Sequence, residues 1–151
     1  MNEIINIILL SILPVSELRG AIPYGISNNI NPLLTFFIAV LANFLVAPFG
    51  FFFLDNLHKH FLKIKSYNRF FNKYIEIKRK SFEKHVGTSF EFWALMIFVA
   101  IPLPLTGAYS GALIAWFFDL KRRKSYLAIF LGILIAGIIV TLTTLGIRSL
   151  F

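Results

Sequence analysis

The chain is 151 residues long and carries a net charge of +8, yet only 15% of its residues are charged and 58% are apolar. A soluble domain contains about a quarter charged residues, so this composition excludes an ordinary soluble domain and favours an integral membrane protein. The absence of cysteine excludes disulfides and thiolate metal sites, and no pattern indicates another metal site or a cofactor.

The basic residues are concentrated in two places. Nine of the fifteen Lys and Arg lie between residues 59 and 84, and four form the run 121–124. Basic clusters between apolar runs are typical of cytoplasmic loops that face anionic lipids, not of nucleic-acid binding. We therefore expect a multi-pass protein of the prokaryotic inner or cytoplasmic membrane, with its basic loops in the cytoplasm. Its expected partners are membrane lipids, and no nucleic-acid partner is expected.

Two apolar stretches come first. Residues 4–26 are interrupted by the segment 14–23, which is rich in Pro and Gly. Residues 33–54 contain no charged residue and would extend about 33 Å as a helix, enough to cross a hydrocarbon core of about 30 Å. From residue 55 to residue 89, apolar residues recur between Lys and Arg in a pattern that predicts a basic amphipathic linker on the membrane surface.

The third apolar stretch, residues 90–118, determines the predicted topology. As one straight helix it would extend about 43 Å, well beyond the hydrocarbon core. Pro102, Pro104 and Gly107 interrupt it near its middle. Basic residues flank it on both sides, so a single crossing would violate the positive-inside rule. These observations favour a re-entrant hairpin that enters and leaves from the cytoplasm.

The first stretch has a similar break, which predicts a second re-entrant hairpin entering from the outside, although a spanning arrangement of this stretch stays open. The fourth stretch, residues 125–150, is long enough to cross. The predicted fold is an all-α integral membrane protein with two opposed re-entrant helical hairpins, each followed by a transmembrane helix, which is an inverted repeat. It forms a single membrane domain: hairpin and helix over 1–54, linker over 55–89, hairpin and helix over 90–151.

Glu17 and Arg19 are the most informative residues of the first break. A charged group at the bilayer centre costs roughly 2.5–3.5 kcal/mol on insertion scales, so such residues usually mark a transport path or an ion pair. On a continuous helix, residues two apart do not face each other, whereas a broken backbone around Gly20 would let them pair. They are candidates for substrate binding or coupling, and the alternative is a structural ion pair.

Ser16 and Thr106 are each placed to cap the short helix that follows the break. Both helices would then direct their N-termini, which attract anions, towards the membrane centre. With Arg19 beside them, this centre favours a phosphate or carboxylate, while Glu17 could carry a coupling proton. The predicted substrate-binding or coupling residues are Ser16, Glu17, Arg19, Gly20, Pro102, Pro104, Thr106 and Gly107. Asn43, Thr141, Thr143 and Thr144 are expected to be interhelical hydrogen-bonding residues instead.

Two motifs resemble the small multidrug export family of prokaryotes: SELRGAIPYG at residues 16–25 and IPLPLTGAYSGA at residues 101–112. The resemblance covers nearly the whole chain and implies a small membrane transporter. More distantly, the layout resembles the DedA family, which implies opposed re-entrant hairpins and the movement of lipids such as polyprenyl phosphates between leaflets. The chain departs from the DedA pattern because no arginine lies near Pro102.

The sequence contains no nucleophile elbow, P-loop or pair of catalytic carboxylates, so an enzyme is not expected. The predicted function is a small membrane transporter or lipid carrier for an anionic lipid headgroup or small anion, with a proton as the candidate coupling ion. One alternative is a proton-coupled exporter of hydrophobic cations that uses Glu17. Another is a non-transporting membrane scaffold. A homodimer is compatible with the sequence, because four short elements make a thin wall around a site.

Overall fold

The computed structural model describes residues 2–61, 89–103 and 106–149. All regular structure within these residues is helical, which confirms the predicted all-α class. The larger part of the predicted linker, residues 62–88, lies outside the described residues. The helices are α1 (Asn2–Ile12), α2 (Glu17–Ser27), α3 (Pro32–Phe61), α4 (Ser89–Ala100), α5 (Ala108–Phe117) and α6 (Arg122–Arg148).

Helices α3 and α6 are the two long elements. The segments Pro32–Leu57 and Arg122–Arg148 have mean hydropathies of 2.3 and 2.5 and are long and apolar enough to cross a bilayer. Because α3 continues to Phe61, Asp55 belongs to this helix and not to the linker in which the sequence placed it.

The two long helices run antiparallel. The ring of Phe36 near the start of α3 lies against Gly137 near the end of α6. Further along α3, Phe44 contacts the ring of Phe130 with centroids 5.0 Å apart, and Phe51 contacts the ring of Tyr126 at 5.1 Å. Along these contacts the residue numbers rise on α3 and fall on α6, so the two helices run in opposite directions.

The four short helices form two pairs that fold back on themselves. In the N-terminal pair, α1 and α2, the side chain of Asn6 donates to the Tyr24 hydroxyl at 2.8 Å. In the C-terminal pair, α4 and α5, Val99 lies against Gly111. The short helices contain 10–12 residues each, which corresponds to about 15–18 Å at 1.5 Å per residue. Each is therefore about half as long as a hydrocarbon core is thick.

Both pairs pack against both long helices, and they do so in corresponding ways. The N-terminal pair contacts α3 through α1 and α2, and contacts α6 through α2. The C-terminal pair contacts α6 through α4 and α5, and contacts α3 through α5. The set of helix contacts is therefore the same when α1, α2 and α3 are exchanged for α4, α5 and α6.

The same turn connects each pair to its long helix. After α2, Asn29 has a positive φ of 61° and the N–H of Ile30 donates to the carbonyl of Gly25. After α5, Asp119 has a φ of 53° and the N–H of Leu120 donates to the carbonyl of Ala115. These are the bonds of a Schellman ending, and Asn and Asp are among the non-glycine residues that best tolerate the left-handed conformation it requires.

Close packing of α4 on α6 depends on Gly132. A Cβ at this position would lie 2.7 Å from the Cβ of Val99 and 2.8 Å from the backbone oxygen of Met96. The backbone oxygen cannot rotate away as the end of a side chain can. Gly146 lies on the same helix, and a Cβ added there would have no other atom within 4 Å. It therefore provides a matched control.

We predict that Gly132→Ala lowers the free energy of unfolding by roughly 1–3 kcal/mol, because the added methyl forces α4 away from α6. Gly146→Ala should leave stability unchanged or raise it by up to about 1 kcal/mol, because alanine favours the helix. Thermal unfolding of the detergent-solubilised variants measures both. Equal effects of the two substitutions would contradict the packing of α4 on α6.

Candidate functional site at the junction of the helix pairs

The connection between α1 and α2 ends at a residue with unusual backbone geometry. Glu17 has a φ of 46°, a left-handed conformation that costs a non-glycine residue roughly 1–3 kcal/mol and persists only when its surroundings enforce it. The residue is 4% exposed. Its own N–H still donates to the carbonyl of Leu13 at 2.9 Å, so the strain turns the side chain without leaving the backbone unpaired.

The carboxylate of Glu17 lies at the N-terminus of α5. It lies close to the backbone N–H groups of Ala108 and Tyr109. It also lies against the Cα of Gly107, because a Cβ there would fall 1.5 Å from Oε2 of Glu17. A helix N-terminus presents unpaired N–H groups and attracts negative charge. In this structure the anion at the start of α5 is thus a side chain of the N-terminal pair.

Arg19 lies beside this carboxylate and reaches the C-terminal pair. Its Nη2 donates to Oγ1 of Thr106 at 3.1 Å and lies 3.8 Å from Oε2 of Glu17. The side chains of Arg19 and Glu17 are 18% and 5% exposed, respectively. Glu17 and Arg19 form the ion pair that the sequence left as an alternative, but the backbone break that permits it lies at Glu17 and not around Gly20. Helix α2 continues through Gly20, whose absent Cβ leaves room for the hydroxyl of Ser16.

The two predicted hydroxyl caps are not formed. Ser16 occupies the N-cap position of α2, but its hydroxyl donates to the carbonyl of Leu10 at 2.8 Å. The N-cap of α5 is Gly107, and the Thr106 hydroxyl lies 2.6 Å from the carbonyl oxygen of Ile101. Both hydroxyls bind carbonyls that a broken helix leaves open, since a short polar side chain can turn back to a preceding carbonyl as easily as forward to an N–H.

Three side chains donate hydrogen bonds to the last carbonyl groups of α1. The carbonyl of Leu10 accepts from Ser16, that of Ser11 from Nδ2 of Asn43 at 2.8 Å, and that of Ile12 from the Tyr109 hydroxyl at 2.5 Å. The interhelical role predicted for Asn43 is confirmed. The same prediction is wrong for Thr141, Thr143 and Thr144, whose hydroxyls donate to carbonyls one turn earlier on α6. The role of Tyr109 was missed, because only the fold shows that a tyrosine on α5 reaches α1. The one sequence signal is a phenolic hydroxyl in an otherwise apolar helix.

The remaining predicted site residues lie in the connection between α4 and α5. Pro102 is half-buried and follows the end of α4, where its missing N–H and fixed φ stop the helix. No contact places it beside Glu17 or Arg19. Pro104 lies outside the described residues. Among the described residues, no group of three or more His, Asp or Glu side chains could hold a metal ion.

The described residues form two long apolar helices and two short helix pairs, with an ion pair of α2 where the short pairs meet. This arrangement favours a small helical membrane protein. A family model described as "Putative small multi-drug export protein" matches residues 17–139. The match covers well over half of the chain, so the chain belongs to this family and is a small membrane export protein by its description. The matched region begins at Glu17 and includes Arg19 and Tyr109. No curated protein and no solved structure matches the chain.

We predict that Gly107→Ala lowers the free energy of unfolding by roughly 1–3 kcal/mol, because the new methyl displaces the Glu17 carboxylate from α5. Glu17→Gly removes the carboxylate and tolerates the positive φ, so in that background Gly107→Ala should have little further effect. Thermal unfolding of the two single variants and the double variant forms a double-mutant cycle, which gives the interaction energy between residues 17 and 107. Additive effects would show that residues 17 and 107 do not touch. Gly50→Ala is the control, since its Cβ would make an ordinary contact of 3.4 Å.

Proposed function

We propose that this protein is a membrane carrier in which the two helix pairs are re-entrant hairpins that enter from opposite faces and meet near the bilayer midplane. The short helices are half as long as a crossing requires, and the long helices that follow them are antiparallel. The matching contacts of the two halves support an inverted repeat, the plan of many transporters whose sites lie at broken helices.

Charge supports one orientation of this arrangement. The basic run 121–124 lies where the C-terminal pair joins α6. The positive-inside rule assigns this end to the cytoplasm and the N-terminus to the outside of a multi-pass protein in the cell membrane. The predicted basic linker, residues 55–89, then lies on the cytoplasmic side, next to anionic lipids.

Single cysteines test this topology in a chain that has none of its own. We predict that Asn2→Cys and Ser27→Cys are labelled by an impermeant thiol reagent only from outside. Arg123→Cys and Phe90→Cys should be labelled only from the cytoplasm. Val15→Cys, at the tip of the N-terminal pair, should be inaccessible to the reagent from the cytoplasm. Labelling of Val15→Cys from the cytoplasm alone would mean that α1 crosses the membrane.

The substrate that best fits the junction is an anionic lipid headgroup or a small anion. The observation that carries this proposal is the position of the Glu17 carboxylate, which lies 3.8 Å from Nη2 of Arg19 and beside the first N–H groups of α5. These groups bind an oxyanion, and a substrate anion could take the place of the side chain. A proton on Glu17 would weaken the internal contact and release the donors, which gives the residue a coupling role. The low dielectric of a buried site strengthens the attraction between the donors and an oxyanion, relative to water. It also increases the effect of neutralising Glu17 with a proton.

We predict that phosphatidylglycerol or inorganic phosphate raises the unfolding temperature of the purified protein, because a ligand that binds only the folded state stabilises it, by about 2.7 kcal/mol at a hundredfold excess over Kd. Arg19→Gln should abolish this protection. The control Arg123→Gln removes an equal charge from an exposed residue and should retain it. Protection that persists without Arg19 would remove the junction as the anion site.

A proton-coupled exporter of hydrophobic cations is the second candidate. The family description and the burial of the Glu17 carboxylate favour it, whereas the nearby guanidinium of Arg19 opposes a bound cation. Tetraphenylphosphonium in the same unfolding experiment separates the two. Protection by this cation that disappears in Glu17→Gln, without a response to anions, would select the exporter of cations. The third candidate is a non-transporting scaffold, in which the ion pair only stabilises the packing of the helix pairs. It predicts that neither ligand protects the protein against unfolding. Whether two copies form a homodimer stays a prediction.

A further inference from the structure

Polar contacts also fasten the protein at its two ends, away from the junction of the helix pairs. At the end that carries the basic run, Oδ1 of Asp55 accepts from Nη2 of Arg122 at 2.6 Å and from the indole N–H of Trp116 at 2.9 Å. The Arg122 guanidinium also lies over the ring of Phe51, 4.2 Å from its centroid. This basic-end clamp joins the end of α3 to the end of α5 and the start of α6.

A second clamp lies at the opposite end of the antiparallel long helices. Arg148, the last residue of α6, donates from Nη1 to the carbonyl of Ile26 at 2.8 Å and from Nη2 to Oδ1 of Asn29 at 2.6 Å. This distal clamp joins the end of α6 to the end of α2. Each clamp therefore ties the last turns of a long helix to the helix pair of the other half.

Between each clamp and the junction lies a seam, the line along which one short helix packs on one long helix. The first seam is formed by α3 and α5, and Gly50 and Ala112 approach closely along it. The second is formed by α2 and α6. The two seams correspond to each other when the halves of the molecule are exchanged. Both lead from one end of the long helices to the carboxylate of Glu17.

We propose that the two seams are the alternative access paths to the junction, and that each clamp is the latch that closes one of them. The proposal rests on the carrier function proposed above, which requires the central site to be reached from each side in turn. The clamps are suited to this role because they are weak. Asp55 and Arg122 are 44% and 41% exposed, whereas Glu17 and Arg19 are 5% and 18% exposed, so the clamp is more accessible than the junction. Ion pairs between accessible groups typically change an equilibrium by about fivefold or less.

The test uses Ala108→Cys as a reporter, because Ala108 is fully buried at the junction and the chain contains no other thiol. Its labelling by an impermeant thiol reagent is measured in right-side-out and inside-out membrane vesicles. Asp55→Asn should raise the labelling rate about two- to fivefold from the side of the basic run only. Arg148→Gln should raise it by a similar factor from the other side only.

Two further variants keep this test decisive. Asp119→Asn removes an exposed acid near the basic-end clamp and should leave both rates unchanged. Trp116→Phe removes a single donor to Asp55, so it should give a smaller increase on the same side even where Asp55→Asn fails to fold. Rates that rise equally on both sides, or that change in none of the clamp variants, would overturn the proposal.

A disulfide measures the closure of the first seam directly. A Cβ at Gly50 would lie 3.4 Å from the Cβ of Ala112, close to the separation in natural disulfides. The pair Gly50→Cys and Ala112→Cys should therefore oxidise readily. Asp55→Asn should slow this oxidation about two- to fivefold, and Arg148→Gln should not affect it. An effect of Arg148→Gln equal to that of Asp55→Asn would show that the clamps do not act on separate seams.

Neither readout requires a substrate, so failure of this proposal is distinguishable from failure of the proposed function. One-sided changes in labelling without ligand protection would support the latches and count against the anion carrier. Ligand protection that depends on Arg19, with clamp variants that change nothing, would support the anion site and refute the latches.

Discussion

The packing of the Glu17 carboxylate against Gly107 at the N-terminus of α5 is the interaction on which the arrangement of both helix pairs depends. A helix that ends within hydrocarbon leaves N–H or C=O groups that lipid cannot satisfy. Here each pair supplies what the other lacks, because Glu17 binds the start of α5 and Tyr109 donates to the end of α1. The positive φ of Glu17 directs the carboxylate to the start of α5, and the absence of a side chain at Gly107 leaves room for it there.

The same groups that hold the tips together are those that an anionic substrate would need. Arg19 and the N–H groups of α5 cannot serve Glu17 and a bound oxyanion at the same time, so binding and closure of the junction compete. In the proposed carrier, such competition would link the internal contact to transport, because the carboxylate would leave as the substrate binds. It also explains how a purely structural ion pair and a coupling residue would look alike in a closed structure.

The interactions differ in strength along the long axis of the molecule. At the centre, buried charged groups with several partners make the junction hard to open. At the two ends, Asp55 with Arg122 and Arg148 with Asn29 are more accessible than the groups of the junction. A structure that is held firmly in the middle and loosely at both ends can move at either end without losing its centre.

The amino-acid pattern alone was enough to predict the helical class, the two long apolar helices and the breaks near Pro14 and Pro102, whereas Pro23, which was expected to lie in the first break, lies inside α2. Hydropathy, proline and isolated charge act locally or through the bilayer, so they are readable without coordinates. Which groups meet depends on the tertiary structure. The cap expected from Thr106 is absent and the Glu17 carboxylate lies at the start of α5 instead, while the Ser16 hydroxyl donates to the carbonyl of Leu10. Tyr109, Gly107 and both end clamps became visible because their partners lie far away in the chain, and pairing at that distance is set by packing.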